Sequence, residues 1–139
     1  LADNQSVLSV SIVTPDGQVY EGKSDLLVVK TTIGELGIMY NHVPLIASLE
    51  VDETRVKLGE NEDKIAVNGG FLEFSDNVAT IVADSAERQD DIDVNRAESA
   101  RERAKATIEK AQAAHDADSL ARAEVALRRA INRINVAKH

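Results

Sequence analysis

The side chains best placed to do chemistry in this sequence are its arginines. Arg96 and Arg103 fall in one stretch rich in Ala and Glu, and Arg129 and Arg133 lie four apart in a second. An acidic run, Asp90-Asp91-Ile92-Asp93, precedes the first stretch. It offers the oxygens and the negative charge that suit a helix N-terminus. Asp93, Arg96, Ala100 and Arg103 then share one helical face, at spacings of three and four. In an antiparallel hairpin turning near residues 115–118, Arg103 is expected opposite Ala130, between Arg129 and Arg133. Like charges at i, i+4 cost roughly 0.2–0.5 kcal/mol, and a third nearby adds to that. An anion inserted among them reverses the sign of the interaction, at ~1.5–3 kcal/mol per charge-assisted hydrogen bond. The chemistry this predicts is ordered binding of a polyphosphate. A second account of the same charges is plainer. Arg129, Arg133 and Lys138 would complement a helix C-terminus, and Glu124 would pair with Arg128.

Catalysis has little to work with. His42, His115 and His139, with no Cys anywhere, offer neither a nucleophile–base pair nor metal-ligand spacing. The phosphate loop G-x-x-x-x-G-K-[ST] is absent, so a nucleotide needs another cradle. No catalytic residue and no metal site are expected.

Charge is divided unevenly along the chain. The 139 residues carry a formal net charge of -8. Residues 1–88 hold 6 basic and 15 acidic side chains, and residues 89–139 hold 10 basic and 9 acidic. From Leu120 to His139 the tally is 5 basic against 1 acidic, which suits an anionic partner. Nucleic acid is not expected. The larger part is acidic, and two Tyr and two Phe give bases little to stack on. No apolar run approaches the ~20 residues of a membrane-spanning helix.

The elements that must position these side chains change character at the acidic run. Before it, residues 7–13 alternate polar and apolar and Thr14-Pro15-Asp16-Gly17 marks a turn. Strands are expected at 18–22, 24–31, 44–51, 54–58, 63–68, 71–74 and 78–83. Gly34-Glu35-Leu36-Gly37-Ile38 reads as a bend, and Asn68-Gly69-Gly70 as a bulge or tight bend. Turns every 8–12 residues point to a β-sandwich or barrel. After the acidic run, Val94, Ala97, Ala100, Ala104, Ile108 and Ala111 recur every three or four residues. Leu120, Ala123, Leu127, Ala130, Ile131 and Ile134 form a second stripe beyond a break at 115–118. The fold expected is α+β in two domains, 1–88 and 89–139, the second a marginal hairpin glued mostly by Ala.

Beyond these local signals, the chain resembles the epsilon subunits of bacterial F-type ATP synthases along essentially its whole length. The resemblance rests on Ser11-Ile12-Val13-Thr14-Pro15-Asp16-Gly17 followed by Val19-Tyr20, and on Gly34-Glu35-Leu36-Gly37-Ile38 with His42 and Pro44-Leu45. Ala66-Val67-Asn68-Gly69-Gly70-Phe71-Leu72-Glu73 and Arg128-Arg129-Ala130-Ile131-Asn132-Arg133 complete it. The sequence departs at Met39-Tyr40-Asn41, where many members have Leu-Pro-Gly. The resemblance implies an N-terminal β-sandwich of about ten strands and a C-terminal two-helix domain. It implies a non-catalytic place at the foot of the rotor, against the gamma subunit and the c-ring. The membrane would be reached only through the complex, at the cytoplasmic face of the bacterial plasma membrane. Extended helices would bring the basic second helix to the alpha/beta subunits and block ATP hydrolysis. Some members bind regulatory ATP through an I/L-D-x-x-R-A motif, matched here by Ile92-Asp93-Val94-Asn95-Arg96-Ala97. The resemblance carries the remaining contacts over to Glu87, Arg103, Arg129 and Arg133. The alternative it leaves is a purely structural rotor-coupling subunit without useful nucleotide binding.

Overall fold

Period-two alternation is clearest at the first strand, where Leu8, Val10 and Ile12 are buried and the residues between them are half-buried. The computed structural model describes residues 6–139. In it β1 (Leu8–Thr14), β2 (Gly17–Ser24), β3 (Leu26–Thr31), β4 (Gly34–Ile38), β5 (Leu45–Leu58), β6 (Asn61–Ser75), β7 (Val78–Ala83) and β8 (Ala86–Arg88) form one unit ending at Gln89. The sheet runs β2-β1-β7-β6-β5-β3-β4, with β8 added along β6. Of its pairings, β1 with β7 is parallel.

Two long strands turn this sheet into a sandwich. On β5 the core members are Leu49 and then Val56, and on β6 they are Ile65 and Val67 and then Leu72 and Phe74. The inward set therefore passes from odd to even positions in both strands, while their mutual register holds from Leu45↔Phe74 to Leu58↔Asn61. Each strand turns a corner from one layer to the other, as strands that switch layers do at bends. Gly69 and Gly70 lie at that corner with φ of 86° and 128°. A Cβ on Gly70 would come within 2.1 Å of the Val82 carbonyl oxygen. Only glycine fits there.

Among the described residues the β-sandwich has eight strands, where the resemblance implied about ten. At the corners two pairs of expected segments merge, while β4 and β8 add two strands that the local signals did not mark. Segments 44–51 and 54–58 are one strand, and so are 63–68 and 71–74, because the ladder between β5 and β6 continues through the bend. Residues 34–38 are strand β4 rather than a bend, since Gly34 and Gly37 both pair with β3.

The second unit, Asp90–His139, is an antiparallel helical pair, α1 (Val94–Ala113) and α2 (Ala117–Lys138), entered by a 3-10 turn at Gln89–Asp91. Asp93 and Asp116 cap the two helices, each accepting from a backbone N–H three residues on at 3.1 Å. The connection is short. His115 takes a left-handed φ of 54°, the Asp116 N–H reaches the Ala111 carbonyl at 2.9 Å and the His115 N–H reaches that of Gln112. These two bonds close the helix end in a Schellman motif. Ala97, Ala104 and Ala111 of α1 are buried, as are Ala123 and Ala130 of α2. The heptad spacing and small side chains let the helices approach closely. Ile131, expected in the apolar stripe, is 38% exposed, and Asn132 and Val136 are buried instead. Among the described residues no helix is long and apolar enough to cross a membrane.

Candidate functional site

The start of α1 is built by its cap. Asp93 Oδ1 accepts from the Arg96 backbone N–H, and the Asp93 carbonyl accepts from that of Ala97 at 3.0 Å. Ala97 then enters the buried stripe, while the Arg96 side chain is exposed and Ile92 is half-buried. Within Ile92-Asp93-Val94-Asn95-Arg96-Ala97, two residues thus set the geometry and one projects a cation.

One turn beyond the middle of this face, Arg103 borders a groove of about 420 Å³ with Ala100, Ala104 and Thr107 of α1. From α2 come Ser119, Arg122, Ala123 and Ala126. Arg103 therefore shares its groove with Arg122, not with the Arg129–Arg133 pair expected opposite it. The shift follows from the tight turn at His115, which sets the register of α2 against α1. A neighbouring groove contains Arg129 and shares Arg122 and Ala126 with the first. At 1.5 Å rise per residue, Arg133 lies about 16 Å along α2 from Arg122. Glu87 belongs to the other unit, on β8 opposite Ala66.

Two of the three glutamates of α1 are engaged elsewhere. Glu98 pairs with Arg101 and, at 3.8 Å, with Lys138, and Glu102 meets Arg101 at 3.6 Å and Lys105 at 3.9 Å. Among the described residues, neither Arg96 nor Arg103 has a carboxylate in ion-pair range. Arg122 reaches the Ser119 hydroxyl at 3.4 Å. That hydroxyl donates to Asp116 at 2.8 Å. The Ser119 backbone N–H, the Ser119 hydroxyl and the nearby Arg122 charge all hold the Asp116 carboxyl below its ordinary range. The groove can thus offer two guanidinium groups to an anion, while its two hydroxyls already donate, Ser119 to Asp116 and Thr107 to the Arg103 carbonyl. Among the described residues no group of three or more His, Asp or Glu side chains is arranged to hold a metal ion.

The sandwich carries its own exposed apolar surface. Ile33 is 97% and Ile46 75% exposed, and both border a groove between the β3–β4 turn and the start of β5. The loop bearing exposed Met39 and Val43 is tied to the β6–β7 turn by the Asn41 N–H, which donates to Asn77 Oδ1 at 2.6 Å. Across the outer face, Ser48, Phe71, Val82 and Val13 fall in one row on four neighbouring strands. Phe71 and Val82 are both exposed.

This combination is matched in known proteins. Residues 7–89 match the beta-sandwich domain of the ATP synthase Delta/Epsilon chain, and residues 90–138 its long alpha-helix domain. The chain belongs to the epsilon chains of ATP synthase. It is 83% identical to the ATP synthase epsilon chain of Levilactobacillus brevis and 67% identical to that of Pediococcus pentosaceus, each over the full length of both chains. A chain of the mitochondrial ATP synthase of Euglena gracilis has the same fold. Its TM-score is 0.75 at 22% identity, over 94% of this chain and 80% of that one.

Within this epsilon chain, sequence reasoning passed over Arg122. The signal available was its i+3 spacing from Ser119 beside the Asp116 cap. It also passed over Asp63 and Arg88 around Tyr20, for which no local pattern exists.

Proposed function

We propose that the chain couples the gamma subunit to the c-ring in the central stalk, and that its helical hairpin restrains ATP hydrolysis under the influence of bound ATP. The observation carrying the second half is the state of charge along α1. Glu98 and Glu102 are taken by Arg101, Lys105 and Lys138, and among the described residues Arg103 faces its groove without a carboxylate in ion-pair range. A triphosphate between Arg103 and Arg122, with Arg129 beyond, would satisfy those cations and hold α1 and α2 together. Asp93 and Ala97 would keep Arg96 on the same face, with Ile92 and Arg133 as the outer contacts. The chain itself is non-catalytic in this reading and requires no metal.

Released from that anion, the basic face of α2 suits the acidic surface of the alpha/beta subunits, where it would block hydrolysis. At 100 times its dissociation constant ATP contributes roughly 2.7 kcal/mol to the folded hairpin. Full reversal of a two-state population needs ~5.5 kcal/mol. ATP therefore tilts the balance, and contacts with the rotor supply the remainder. The exposed residues Ile33, Met39, Val43 and Ile46 suit the c-ring, and the row through Phe71 and Val82 suits gamma. With such contacts the chain would sit peripherally, at the cytoplasmic face of the plasma membrane.

A second reading keeps the coupling and drops the nucleotide. That Arg133 lines neither the Arg103 groove nor its neighbour favours it. Deleting residues 90–139 and reassembling the complex separates the two. A regulatory hairpin predicts normal assembly with hydrolysis raised severalfold, and unchanged hydrolysis refutes regulation.

A further inference from the structure

The strand that leads into the helical unit is the shortest in the sheet. β8 holds three residues, paired with β6 at Ile65↔Arg88, Ala66↔Glu87 and Val67↔Ala86. One residue later, between Gln89 and Asp90, the first unit ends. β8 continues the ladder of β7 along β6 in one register, bridged by the Asp84 N–H to the Gly69 carbonyl and the Asn68 N–H to the Ser85 carbonyl, and its three pairs are the terminal end of that ladder, where opening starts.

Arg88 adds a second attachment. Its guanidinium lies 5.2 Å from the centroid of the Tyr20 ring, within the range of a cation–π contact. Tyr20 is 4% exposed, and its hydroxyl donates to Asp63 Oδ2 at 2.6 Å. Burial, and then Asp63 beside it, push the Tyr20 hydroxyl well above the ordinary phenol range, so it remains a donor at neutral pH. Three strands far apart in the sequence meet here: β2 through Tyr20, β6 through Asp63, and β8, the partner of β6, through Arg88. Room for the ring comes from Gly22. A Cβ there would stand 2.7 Å from the Tyr20 hydroxyl oxygen and 3.1 Å from the ring.

We propose that Arg88, Tyr20 and Asp63 form a clamp that holds β8 on the sandwich and makes the Gln89–Asp90 junction the fixed point at which rearrangement of the helical unit stops. Without it, movement of α1 would peel β8 from β6 and lengthen the connection by several residues. With it, opening of the helices leaves the sandwich edge intact. Arg88, Tyr20 and Asp63 are positioning residues in this scheme.

Amide hydrogen exchange on the full-length chain, followed against low concentrations of denaturant, tests the clamp. In the native chain, residues 86–88 are expected to open with the sandwich, sharing the denaturant slope of Leu72. Residues 92–97 should open with the helical unit. In Arg88→Gln, and independently in Gly22→Ala, residues 86–88 should cross to the helical group and exchange roughly tenfold faster or more, with Leu72 unchanged. The exposed Arg88 can be replaced without touching the core, so its variant decides the matter if Gly22→Ala loosens the whole sheet. The proposal is overturned if residues 86–88 already open with the helices in the native chain. It is equally overturned if they stay with the sandwich in Arg88→Gln.

Discussion

Replacing Arg103 with Ala separates an anion-binding cation from a structural one. Among the described residues Arg103 has no carboxylate within ion-pair range, and it shares its groove with Arg122. Removing it costs the ligand-free hairpin no salt bridge, relieves a repulsion of a few tenths of a kcal/mol and substitutes a better helix former. The free variant should therefore unfold at the same temperature as the native chain or slightly above it. With ligand the order reverses. Loss of one or two charge-assisted hydrogen bonds, ~1.5–3 kcal/mol each, weakens ATP binding by roughly ten- to a hundredfold or more. ATP at 100 times the native dissociation constant adds about 2.7 kcal/mol to the native hairpin. At about 4–8 °C per kcal/mol for a small unit, this raises the helical transition by on the order of 10–20 °C. The same ATP concentration should add only about 0.4–1.4 kcal/mol to Arg103→Ala. Circular dichroism at the helical band during heating, with and without ATP, reads both effects on one sample. An equal ATP-dependent shift in the two proteins would refute the groove as the anion site. A large loss of stability in the ligand-free variant would show that Arg103 is structural.

Two further outcomes test the sandwich. Gly70→Ala forces a side chain into the Val82 carbonyl at a φ of 128°, which should cost about 3 kcal/mol or more by urea unfolding. Gly17→Ala, at a φ of 124° but with nothing within 4 Å of the added Cβ, should cost only ~1–2 kcal/mol, from backbone strain alone. Similar losses in the two would disprove the close approach at the corner. The folded-state pKa of Tyr20 lies above its ordinary value of 10.0, so its contribution is complete below pH 10 and is lost as pH rises beyond that. Between pH 10 and 11 the native chain should lose roughly 1 kcal/mol more stability than Tyr20→Phe. Parallel losses would show the hydroxyl to be uninvolved.

Much of the fold was legible because its signals are local. Leu8, Val10 and Ile12 announce a half-buried strand by alternation alone, and Asp93 and Asp116 announce helix starts by their type and place. Asn68-Gly69-Gly70 announced a break. Whether that break ended a strand or bent one depended on whether the β5 ladder continued across it, which no window of neighbouring residues contains. The arginines of the candidate site were legible as residues and not as a constellation. A helix places Arg103 relative to Asp93, but only the turn at His115 and the depth of Ala–Ala packing place it relative to α2.

By itself, then, the order of residues determined that a sandwich precedes a helical pair, where each helix begins, and which cations are available. Each of these follows from interactions within a few positions along the chain. The tertiary structure alone decided that β5 and β6 serve both layers, that Arg103 meets Arg122, and that Tyr20 finds Asp63 and Arg88. Those contacts join segments distant in sequence, and packing around glycines and alanines chooses among registers that local periodicity leaves equivalent.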